Sequence, residues 1–111
     1  MVSKTYKNTS TIASNAILRI DPTGQFDGTK DFMKKFAPYN SLFVSNEDSN
    51  TIEVYPNGST DKKFILPLGA TRNLLTADGT LDVFRYIDIK NIGSGTVAAN
   101  AISVRIGREG K

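Results

Sequence analysis

Residues 82–106, DVFRYIDIKNIGSGTVAANAISVRI, hold two β-branched segments on either side of Gly93-Ser94-Gly95. Asp82 to Ile92 and Thr96 to Ile106 have the composition of strands, and glycine reaches the positive φ values of a tight reversal, so the pair predicts a hairpin. In the second segment Ile102, Val104 and Ile106 alternate with Ser103 and Arg105, the period of a strand covered on one face. In the first, Val83, Ile87 and Ile89 share a face with Arg85, whereas Phe84 and Tyr86 point the other way. Both faces are therefore apolar near the strand start. Either a neighbouring subunit covers Phe84 and Tyr86, or a loop or helix of the same chain packs over them.

The rhythm of short strands and compact turns extends back to Ser41. Ser41 to Asn46 (SLFVSN) and Thr51 to Tyr55 (TIEVY) flank Glu47-Asp48-Ser49-Asn50, which predicts a second hairpin. Asn57-Gly58 then supplies a turn, Lys63 to Pro67 starts the next strand, and Pro67-Leu68-Gly69 predicts an edge or a bend. A brief strand, Asn73 to Thr76, ends at Ala77-Asp78-Gly79. Upstream, Ile12, Ala16, Leu18 and Ile20 alternate with Ala13, Asn15 and Arg19, the apolar Ile17 being out of pattern, and Asp21-Pro22-Thr23-Gly24 closes that strand. Residues 27–37, DGTKDFMKKFA, break the β pattern. Phe32, Met33 and Phe36 before Pro38 predict one short helix that plugs an open end, with Lys30, Lys34 and Lys35 outward. The class that follows is all-β, an antiparallel sandwich or small barrel with one short helix.

A chain of 111 residues suits one domain with a single modest core. Residues 1–11, MVSKTYKNTST, carry no apolar periodicity and are expected to be an extended arm in front of a β domain spanning 12–111. Tyr6, between Lys4 and Lys7, either anchors in a neighbouring subunit or belongs to a frayed end. The charge of +3 comes from 14 basic and 11 acidic residues, and its placement is more telling than its size. No acid precedes Asp21, and Arg105, Arg108 and Lys111 face one acid, Glu109, at the other end. Two basic ends are either solvated separately or, emerging on one side, form a patch suited to an acidic surface.

The chain has no histidine and no cysteine, which excludes imidazole-based triads, thiolate chemistry and cysteine-ligated zinc. Asp78, Asp82 and Asp88 lie in or beside turns, where turn chemistry explains them without a catalytic role. Ser59-Thr60-Asp61-Lys62 has the spacing of a serine acyl enzyme but none of its partner motifs. Asp48-Ser49-Asn50 lacks the spacing of a calcium loop. Stacking of nucleobases on Phe84 and Tyr86 is disfavoured, because Arg85 projects to the opposite face and Asp82 and Asp88 flank the platform. No apolar run approaches the roughly 20 residues of a membrane helix. The reading is therefore of a protein that is not an enzyme, with no cofactor, metal, nucleic acid or membrane partner.

Three stretches carry a family resemblance: SLFVSNEDSNTIEVYPNG from Ser41, FILPLGAT from Phe64, and FRYIDIKNIGSGTVAANAISVRIGR from Phe84. Over about Ser41 to Arg108 this series resembles small β-sandwich virion proteins of tailed phages and related viruses, such as head decoration, cement and spike-base proteins. The resemblance implies a jelly-roll-like sandwich, commonly a homotrimer, attached to the capsid exterior and binding the major capsid protein. The interface residues expected on this reading are Lys4, Tyr6, Lys7, Phe84 and Tyr86. The competing reading is a carbohydrate- or receptor-binding module using exposed Tyr39, Tyr55 or Tyr86.

Overall fold

The computed structural model describes residues 2–24 and 32–109. Its strands are β1 (Val2–Lys7), β2 (Ile17–Ile20), β3 (Ser41–Asn46), β4 (Ile52–Pro56), β5 (Phe64–Leu66), β6 (Thr71–Leu75), β7 (Ile87–Asn91) and β8 (Ile102–Arg108). They pair antiparallel in two four-stranded sheets, β1-β8-β3-β6 and β2-β7-β4-β5. Interleaving of this kind, in which chain neighbours are mostly not sheet neighbours, is the order of a jelly roll. The two sheets stack with their inner faces together, so the side chains that point inward along each strand alternate with those that point out. From the first sheet come Tyr6, Leu42, Val44, Leu74, Ile102, Val104 and Ile106, and from the second Ile20, Ile52, Val54, Phe64, Leu66, Ile87 and Ile89. Each such aliphatic side chain contributes about 1.5–3 kcal/mol of transfer free energy.

Several local expectations give way to this topology. The two predicted hairpins do not form. Ser41–Asn46 is in the first sheet and Ile52–Pro56 in the second, and the same split separates Ile87–Asn91 from Ile102–Arg108. Turn residues only specify that the chain changes direction. Whether it returns to its own sheet or crosses the roughly 10 Å to the other depends on which partner buries its apolar face. Gly93 and Gly95 do not adopt positive φ; among the described residues the left-handed glycines are Gly58, Gly69 and Gly79, joined by Asn15, Asn57 and Asn100. Gly93 is instead dictated by close approach, since a Cβ there would lie 2.5 Å from Asn50 Oδ1 and 2.8 Å from Asn50 Cβ.

The expected free arm is an edge strand. Residues Val2–Lys7 pair with Arg108–Ser103, and Tyr6 is 3% exposed, its ring completing the core beneath Val104. The absence of periodicity misled because β1 buries only one large side chain. Of the expected strand from Thr11, only Ile17–Ile20 is ladder, while Ile12 makes an isolated bridge to Val97. The expected helix appears as a 3-10 turn, Phe32–Phe36, with Met33 buried and Phe32 exposed; the remainder of that segment before it falls outside the described residues. Tyr39 seals this end, donating from its hydroxyl to the Met33 carbonyl at 2.8 Å and packing its ring 5.6 Å from Phe84.

Candidate interaction surfaces

At the end of the sandwich where β1, β3 and β7 finish, buried asparagines replace the missing ladder. Asn8, Asn46 and Asn91 are each fully buried and each uses both ends of its amide on the backbone. Asn8 donates to the carbonyls of Ser10 and Ala98 and accepts from the Ile102 amide. Asn46 donates to Asn50 and Leu66 carbonyls and accepts from the Asp48 amide; Asn91 donates to Ile12 and Gly95 carbonyls and accepts from the Gly93 amide. A strand leaving its sheet strands its backbone groups, and an amide side chain, with two N–H donors and an acceptor oxygen held apart, satisfies carbonyls and an amide at once without carrying a charge. Asp48 and Asn50 link the two crossing loops. The Asp48 carboxylate accepts from the Ala98 amide at 2.8 Å and from Asn50, which holds it below the usual carboxylate range, and Asn50 accepts from the Gly95 amide at 2.9 Å. These polar groups are consumed in holding loops. They form structure, not a reactive site.

The strands of the first sheet put no acid on its outer face. Its strands carry Lys4, Lys7, Arg72, Arg105 and Arg108, and no aspartate or glutamate. By register, Thr5, Arg105, Phe43 and Asn73 form one outward row, with Lys7, Ser103, Ser45 and Thr71 in the next. At the centre the Arg105 guanidinium lies 5.2 Å from the Phe43 ring centroid. Small hydroxyl side chains surround this pair.

The outer face of the second sheet is balanced and internally paired. Its strands carry Arg19 and Lys90 against Glu53 and Asp88. Arg19 makes a bidentate pair with Asp88 at 2.8 and 3.1 Å, which raises the already high guanidinium pKa, and its guanidinium stacks 4.0 Å from the Tyr86 ring centroid. Glu53 accepts a hydrogen bond from the Tyr55 hydroxyl and pairs with Lys63 at 3.3 Å; the Tyr55 contact first, then Lys63, lowers the Glu53 pKa, and the same contact raises that of Tyr55. Beside this lattice stand three exposed isoleucines: Ile17 at 61%, Ile65 at 54% and Ile92 at 38% exposure.

The five residues singled out from sequence do not make one surface. Lys4, Tyr6 and Lys7 belong to β1 in the first sheet, whereas Phe84 and Tyr86 precede β7 in the second. Tyr6 and Phe84 are core residues and offer nothing to a partner. Lys4 lies over the Tyr6 and Phe32 rings, Tyr86 is half-buried with its hydroxyl donating to the Asn57 carbonyl, and Lys7 is exposed on the acid-free face. Tyr39, named for a sugar site, is fully buried. Sequence reasoning passed over Phe43 and Ile65. Both sit between two core residues of a short strand, Leu42 and Val44 or Phe64 and Leu66, and strict alternation places an apolar residue there on the outside. Ile17, out of pattern in the sequence, was the same signal.

No family model and no curated protein matches this chain. Among solved structures it is similar to a mitogen from Yersinia pseudotuberculosis, at 15% identity and a TM-score of 0.47, covering 99% of this chain and 88% of that one.

Proposed function

We propose that this chain is a non-enzymatic structural virion protein, a decoration or cement module that sits on the capsid exterior, binds the major capsid protein and associates with itself. The virion setting rests on the sequence resemblance. The observation that carries association is the acid-free outer face of the first sheet, in which Phe43 and Arg105 form an apolar, cationic centre among small hydroxyl residues. A buried aromatic with an arginine is the composition of an interface centre, and single-sign charge suits an acidic protein surface. Two outward cations, Lys7 and Arg105, are too few for a phosphate backbone, where each neutralised charge is needed for affinity. Glycan stacking has less support, because Tyr39 is buried and Arg19 covers the face of Tyr86.

Cosedimentation with capsids assembled without this chain tests the reading. Wild-type protein pellets with them, and Arg105→Glu, an exposed change that leaves the fold intact, reduces capture by about tenfold or more, with wild-type capture also falling as salt rises. Equal pelleting of the two proteins at all salt concentrations refutes the assignment of this face.

A further inference from the structure

The first sheet ends on its two outermost strands, β1 with six residues and β6 with five. Edges of this length present backbone amides and carbonyls to which a strand of another chain can add. Each of the two turns a cation toward the inside of the sandwich. On β6, Arg72 stands opposite Val44 and two residues before Leu74, both core residues, so alternation sends its side chain to the inner side. There the guanidinium reaches across to the second sheet and lies 5.2 Å from the ring centroid of Phe64 on β5. On β1, Lys4 stands opposite Ile106 and two residues before Tyr6, again on the inner side. Its ammonium lies 5.0 Å from the Tyr6 ring centroid and 6.0 Å from that of Phe32. We infer that Arg72 and Lys4 guard the edges: each keeps its strand from accepting a further strand, so the sandwich stays closed at both margins and meets its partners through its faces.

The physical reason is desolvation. In the single chain Arg72 is exposed and Lys4 half-buried, so each stem covers core at the margin while the charged head rests on a ring and keeps contact with water. An added strand would continue the sheet and lay its own inner side chains beside that head, on the side from which water reaches it. A guanidinium or ammonium covered in this way loses hydration, and that loss outweighs the few ladder hydrogen bonds gained.

The second sheet is protected by a different means. Its edges, β2 and β5, have four and three residues, their inward positions are Leu18, Ile20, Phe64 and Leu66, and Pro67 follows β5 directly. Edges so short offer too few hydrogen bonds to hold a strand, and proline removes a donor from the next position. Inward cations thus occur on the long edges, where strand addition is the hazard. This inference is independent of the virion setting, and its test needs no capsid.

Sedimentation velocity across a concentration series, joined to hydrogen exchange of the edge amides, tests the guarding role. Arg72→Val and Lys4→Val put a strand-forming apolar residue at the inward position. Each should self-associate at concentrations about tenfold or more below those that wild type needs, with exchange slowed along β6 or β1 in the assembled species. Two further variants separate guarding from other effects of the same side chains. Arg72→Glu abolishes the contact with Phe64 and lowers the net charge further than Arg72→Val does, yet keeps an ion at the inward position, and should sediment as wild type does. Lys7→Val removes a cation from the outward side of β1 and should also sediment as wild type does. Arg72→Val, at an exposed position, decides alone should Lys4→Val loosen the packing around Tyr6. Valine variants at positions 4 and 72 that assemble no more readily than wild type overturn the inference. So does assembly of Arg72→Glu or Lys7→Val to the same degree as those variants, or assembly without slowed exchange at the edges.

Discussion

The two sheets of this jelly roll have equivalent inner faces and opposite outer ones. Inside, both present alternating Ile, Val and Leu that interdigitate, because burial allows little else. Outside, the strands of the first sheet present Lys7 and Arg105 and no acid, with Arg105 resting on Phe43, whereas those of the second present Arg19 and Lys90 with Asp88 and Glu53, the two acids held by Arg19 and by Lys63 just before β5. The fold required the inner pattern twice. It required neither outer pattern, and the contrast bears on the proposed association: the acid-free face of the first sheet suits a surface of opposite charge, whereas the acids of the second are already paired within the chain.

The largest expected effect tests the equivalence of the inner faces. Ile89→Ala in the second sheet and Ile106→Ala in the first, both fully buried, should each cost about 2–5 kcal/mol in denaturant unfolding. A cost several-fold smaller for one would mean that the core sits mainly on the other sheet. Next come the corners where the sheets are stitched together. Asn91→Ala leaves the Gly95 carbonyl and the Gly93 amide without the Asn91 amide that holds them, and leaves the Ile12 carbonyl with the Val97 amide alone; it should cost about 2–3 kcal/mol. Gly93→Ala, whose methyl meets Asn50, should cost about 1–3 kcal/mol by overpacking; wild-type stability in either variant would show that the crossing loops do not hold the sheets in register.

The smallest effect separates the outer faces by acid. Glu53 has a lowered pKa in the folded chain, so its contribution to stability is present above about pH 4.5, its ordinary value, and is lost as pH falls through the lowered one. Glu53→Gln should therefore flatten the acid limb of a stability against pH curve. Arg105→Ala, on a sheet with no carboxylate to titrate, should leave that limb unchanged, and equal flattening by both variants would erase the electrostatic distinction between the faces.

Much of this molecule was legible before any coordinates. The strands Ser41–Asn46 and Ile52–Pro56, the Asp21 turn, the edge position of the strand before Pro67 and the half-covered alternation of Ile102, Val104 and Ile106 follow from period-two patterning and turn chemistry. Each of these is set by neighbours within a few residues. Of the expected strands Asp82 to Ile92 and Thr96 to Ile106, only Ile87–Asn91 and the part from Ile102 are ladder. The edge strand β1 was not legible, since a strand with a single large buried residue has almost no period to read. Nor were the asparagine corners, whose partners lie up to 94 positions away in the chain.

Sequence by itself determined that residues 41–108 alternate strand and turn, that no imidazole or thiol is available for chemistry, and that both ends of the chain are basic. Which strand pairs with which was decided only by the tertiary structure. A turn signal is satisfied equally by returning to the same sheet or crossing to the other, and the choice is made by long-range burial of apolar faces together with the asparagine amides that satisfy the crossing backbone. The outer rows, Thr5 to Asn73 on one sheet and Ile17 to Ile65 on the other, come into being only with that choice, because each is assembled from four strands distant in the chain.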